Sequence, residues 1–143
     1  MAFKGGKPMS MVIASADMDD EEFLRAFHDC ELPAACFRHG DHLRLAWLHL
    51  HRVTADEALE CVRTGIRRFA DHHGVSHIYH ETLTTAWVRL LTTHREPDFA
   101  QFIRENEHRL NRDFLYRFWT PDALNSEAAK RRWLAPDREA LPG

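Results

Sequence analysis

Two short strings hold most of the residues in this chain that could do chemistry. They are Phe37-Arg38-His39-Gly40-Asp41-His42 and Tyr79-His80-Glu81-Thr82. Eight of the eleven histidines fall between His39 and His80, which concentrates the signal in one third of the chain. A neutral imidazole is the usual nitrogen ligand for a metal and the usual acid–base group near pH 7. The two strings stand at the expected starts of two strongly apolar helices. His39 and His42 are three residues apart, so on a helix their side chains lie about 60° apart on one face. His49 returns to nearly the azimuth of His42 two turns later. His80, Thr84, Trp87 and Leu91 follow a helical stripe, and the apolar Trp87 and Leu91 turn that stripe inward.

If the two helices are neighbours, His39, His42 and His80 converge near one end, with Glu81 or Asp41 beside them. Three readings stay open. As a metal site, His39, His42 and His80 would be the ligands, and iron, zinc, nickel or copper would suit three imidazoles and a carboxylate. As a metal-free site, His80 or His42 would be the general base toward a small-molecule ligand. Trp47 and Trp87 would then line the pocket, with Tyr79, Glu81 and Thr84 contributing polar groups. In the third reading the histidines cap or fill a non-catalytic bundle that binds a ligand, a protein partner or its own copy as a homo-oligomer. The spacing lacks the glutamate of His-Glu-x-x-His and the paired Glu-x-x-His of di-iron bundles. Phosphate-binding glycine loops, Gly-x-Ser-x-Gly and Cys-x-x-Cys are likewise missing from the sequence.

These residues need a helical frame. A leader over residues 1–16, with two glycines and a proline, reads as flexible; one domain over 17–143 follows. Acidic Asp19 to Glu22 opens a short first helix, where negative charge meets the positive end of the dipole. The second helix is expected over 39–53, apolar nearly all round and therefore central. Thr54 and Glu57 form a capping box for the third, whose Val62, Ile66 and Phe69 share a face. Arg63, Arg67 and Arg68 fall toward its outer side, and Gly74 lies beyond its end. The fourth helix is expected over 77–93. A long fifth follows to about Trp119, weakened at Asn106 and Asn111. Thr120-Pro121 and Ser126-Glu127 start two short ones. The fold expected is an all-α single-domain bundle of four main helices with short C-terminal helices.

The totals narrow the classes. A formal charge of −3 with both signs interspersed offers no basic stripe, which argues against nucleic acid. No apolar run approaches the ~18–20 residues of a membrane span. Three cysteines in no framework spacing fit reduced thiols, and with no signal-peptide core the expected location is cytoplasmic.

Three stretches taken together resemble an uncharacterised family of small all-helical bacterial proteins. They are Phe37-x-His39-x-Asp41-His42-Leu43-x-x-Ala46-Trp47, then Tyr79-His80-Glu81-Thr82-Leu83-Thr84-x-x-Trp87, then the stretch from Ser126 through Trp133 to Pro142. The resemblance implies a single helical domain, implies no activity, and treats the first two stretches as one unit.

Overall fold

A computed structural model describes residues 11–142 and shows an all-helical bundle, with no strand among the described residues. The elements are α1 (Asp20–His28), α2 (His39–Leu50), α3 (Ala55–His72), α4 (Glu81–Leu91), α5 (Phe99–Asn106), α6 (Arg112–Leu115), α7 (Pro121–Leu124) and α8 (Glu127–Arg131). The three central helices α2, α3 and α4 pack against one another, α1 lies on α3, and α8 lies on α4.

Local chemistry sets the boundaries. Asp19 caps α1 by accepting the Glu22 N–H. The capping box of Thr54 and Glu57 opens α3, and Gly74 ends it at φ +72°, a left-handed conformation that costs glycine little. α1 and α3 approach closely because Gly65 carries no side chain: a Cβ there would lie 2.8 Å from the Phe27 ring.

Three expected helices are shorter. The second ends at Leu50 rather than at 53, where the His51 ring bonds back to the Trp47 carbonyl. The fourth starts at Glu81 rather than at 77, because a 3₁₀ turn (Ser76–Ile78) precedes it and His80 is its N-cap. The long fifth helix is broken. The Asn106 side-chain amide donates back to the Phe102 carbonyl and to Glu96 before the helix, a 3₁₀ turn (Glu107–Arg109) follows, and Asn111 caps α6 through the Phe114 N–H. Asparagine competes with the backbone ladder through such local bonds, and here two of them outweigh the continuous apolar pattern.

The leader is also shorter than expected. Its residues 1–10 lie outside the described residues, but residues 11–16 are held down. Asp41, fully buried, accepts the N–H groups of Ala14 (3.0 Å), Ser15 (2.8 Å) and Arg38 (3.0 Å), and the Ser15 hydroxyl. Arg44 donates to the carbonyls of Ser15 and Met18 and pairs with Asp20 at 2.9 Å. Gly40 leaves room for this strap, since a Cβ there would sit 2.3 Å from the Val12 carbonyl oxygen.

Two apolar clusters result. The larger joins α1, α2, α3 and α5 through Phe23, Phe27, Leu43, Leu45, Trp47, Phe69 and Phe102. The smaller joins Ala86 and Leu90 of α4 to Leu115, Phe118, Trp119 and Leu124. α4 takes part in both, and half-buried Trp87 packs against each.

Candidate functional site

A cavity of about 320 Å³ lies among α2, α3 and α4. It is within the range of small-molecule pockets. His39 and His42 from α2 and His80 from the start of α4 all line it. Tyr79, Thr84 and Trp87 line it with them. The other wall comes from α3, through Val62, Ile66 and Phe69, with Phe37 at the start of α2. Exposed Ala34 and Ile78 mark its mouth. None of its lining side chains is an Asp, Glu, Lys or Arg.

The three histidines are in different chemical states. His42 stacks on Phe37, ring centroids 4.1 Å apart, within an aromatic wall that continues to Phe27 and Phe69. Neither of its ring nitrogens has a hydrogen-bond partner among the described residues, and neither is sealed from solvent-sized space. Burial, then the charge of His39, lowers its pKa to about 4 despite Asp41 nearby. At neutral pH it is therefore an uncharged imidazole with one donor and one acceptor free. The Nε2–H of His39 donates to the Leu110 carbonyl at 2.7 Å, and its ring lies 5.2 Å from that of Trp87. Burial of that ring lowers its pKa too, although the residue as a whole keeps an exposed flank. Its Nδ1 is left as an acceptor.

His80 is committed at both nitrogens. Its Nδ1 accepts the Leu83 N–H at 3.0 Å, which caps α4, and its Nε2–H donates to the Leu124 carbonyl at 2.9 Å. Burial, with the charges of Arg112 and Lys130, lowers its pKa and keeps it neutral. It has the face predicted by the His80-Thr84-Trp87 stripe, but it spends its polar atoms on the backbone.

Glu81 turns away from the cavity. Its carboxylate accepts from Arg63 (2.8 Å) and from the Tyr79 hydroxyl (2.6 Å), and lies 3.5 Å from Arg67. Burial alone would raise its pKa, but the bonds from Arg63 and Tyr79 and the two guanidinium charges outweigh it and lower it. Arg63, expected on the outer side of α3, thus reaches inward. Tyr79 lines the cavity with its ring while its hydroxyl is held by Glu81; burial first and that bond second push its pKa up to about 12. Trp47 lies elsewhere, stacked on Phe102 with centroids 4.9 Å apart and packed near Phe99 and His51. Its neighbour Ala46 lines the cavity instead.

The α3 wall and Phe37 were not singled out as site residues in the sequence. Val62, Ile66 and Phe69 carry only the core-facing pattern that any amphipathic helix has. The helical spacing that places Leu83 and Trp87 on one face was the available clue on α4.

The donor set does not fit a metal. Among the described residues no three His, Cys, Asp or Glu side chains are placed to hold an ion. His80 would have to give up its cap to offer a lone pair, Glu81 is locked to Arg63, and all three cysteines are free thiols, Cys61 exposed and Cys30 and Cys36 half-buried. No family model, curated protein or solved structure matches the chain.

Proposed function

We propose that this domain binds a small, mainly apolar molecule in the cavity among α2, α3 and α4, and that His42 supplies the hydrogen bonds that orient it. The observation that carries this reading is the contrast at His42. An imidazole whose two nitrogens bond no protein group among the described residues opens onto a cavity lined mainly by apolar side chains. A ligand with one donor or acceptor would complete it, and Phe37, Phe69 and Trp87 would stack on or enclose a flat ring. His39, through its free Nδ1, is the second polar group at the mouth. His80 and Glu81 act on the site indirectly, by fixing the start of α4 and the Tyr79 ring. A neutral His42 favours recognition over acid–base chemistry, because a group with so low a pKa is a weak base at pH 7.

N-phenyl-1-naphthylamine tests this. It is uncharged, fluoresces in apolar surroundings and carries one N–H. Saturable binding at one equivalent is expected, weakened several-fold in His42→Leu. Ala34→Trp, which places a bulky ring at the exposed mouth without entering the core, should abolish it. Absence of saturable binding by the wild-type protein, or binding untouched by both substitutions, rules the reading out.

A further inference from the structure

The cavity shares two of its walls, Ala70 and Tyr79, with an outer groove between α3 and α8. The groove differs sharply in character. Arg67, His77, Lys130 and Arg131 line it, against Asp71 and Glu127. Glu127 is paired with Arg131 at 3.6 Å, while Asp71 accepts the Ser76 hydroxyl at 3.2 Å and keeps its charge, which leaves the cations one in excess. Arg67 lies over the Tyr79 ring at 4.9 Å, so its guanidinium stands directly behind a wall of the cavity. Lys130 has no ion pair among the described residues and is half-buried against the bundle. An apolar chamber with no charged wall therefore opens beside a shelf with a free ammonium and a half-committed guanidinium.

Resting on the reading of the cavity as a ligand site, we infer that its natural ligand is an amphipathic organic acid. Its uncharged ring or chain lies in the chamber against His42. Its single anionic group lies on the shelf between Lys130 and Arg67. The charge-free lining forbids an anion inside the chamber, because burying an unpaired charge is prohibitive. The shelf beyond the shared Ala70 and Tyr79 supplies the partner that an anion outside the chamber needs, and two different cations there favour a group that can accept from both. The influence of the Lys130 charge on His80, itself a wall residue, is consistent with this closeness.

The test compares two probes that differ by one charge, N-phenyl-1-naphthylamine and 8-anilinonaphthalene-1-sulfonate, titrated at low and high salt. The sulfonate should displace the neutral probe and bind about tenfold tighter at low salt, as one added charge-assisted bond would give. That advantage should vanish at high salt. Lys130→Gln should remove most of it while the neutral probe binds within twofold of wild type. Lys130→Glu should reverse it. Arg68→Gln, on a different face of α3, should change neither. Neutral-probe binding with no preference for the sulfonate, or a preference unaffected at Lys130, overturns the acid assignment and leaves the cavity reading standing. Failure of the neutral probe removes both.

Discussion

The starts of α2 and α4 carry the same kinds of residue and use them in opposite ways. At α2 the N-cap is Arg38, and Asp41, at the third helical position, accepts the Arg38 N–H and at the same time ties down Ala14 and Ser15. His42, the next residue, lies inside the helix and has no capping role. At α4 the cap is a histidine: His80 takes the Leu83 N–H and holds the Leu124 carbonyl, while the acidic residue beside it, Glu81, is drawn off to Arg63. Two histidines on one cavity are thus distinguished by position: His80 is the N-cap of α4, whereas His42 lies inside α2, beyond Asp41 at its third position. Residue type does not assign a histidine its role; its place relative to the helix start does.

The largest break in this comparison should come at Asp41. Removing its carboxylate orphans several donors at a buried site and frees the strap over residues 11–16. Asp41→Ala should cost roughly 3–5 kcal/mol in urea denaturation. A loss below about 1 kcal/mol would mean that α2 does not depend on this cap.

A smaller effect separates the two histidines by pH. His42 has a folded pKa of about 4 and an ordinary value of 6.5 in the unfolded chain. As the pH falls, the unfolded chain takes up the proton first. The stability of a neutral His42 is therefore complete above about 6.5 and is lost as the pH drops toward 4. By linkage this amounts to roughly 3 kcal/mol. Acidification from pH 7 to 4 should then destabilise wild type more than His42→Leu by about that amount, since the remaining titrations are common to both. Equal losses would show that His42 is not held neutral by the fold.

His80 should give the smallest change. His80→Ala removes a cap at about 1 kcal/mol, and His80→Asn, itself a good cap, should recover most of it. Neutral-probe affinity in His80→Asn should stay within twofold of wild type, in contrast to His42→Leu. A several-fold loss in His80→Asn would give the two histidines the same role.

Much of this arrangement is legible in the sequence. The apolar periodicity of α2 and α3, the Thr54–Glu57 box and the proline and serine starts of α7 and α8 are local signals, and each produced its element. The placement of His39, His42 and His80 around one cavity follows from two inward-facing stripes on neighbouring helices. Side-chain commitments are less legible, because they depend on partners distant in the chain. Leu124 is forty-four residues from His80, and Leu110 is seventy-one from His39. Glu81 reads as a neighbour of His80, yet the rotation of about 100° between successive helical residues puts it opposite Arg63. Trp47 fits either the cavity or the core by its spacing, and only the position of α5, whose break at Asn106 is itself a local competition, decides for the core.

The buried hydroxyl of Thr82 has a consequence for the chain beyond α8. After Arg131 the backbone becomes extended, with Arg132 at φ −152° and ψ 164°. An extended segment ordinarily looks for a neighbouring strand to take its N–H and C=O groups. Here Thr82 donates to the Arg132 carbonyl at 2.9 Å and accepts the Leu134 N–H at 3.0 Å. One side chain on a helix thereby impersonates a peptide unit, offering the donor and acceptor that a β partner would have presented. That substitution lets strand-like backbone lie flat on an all-helical surface.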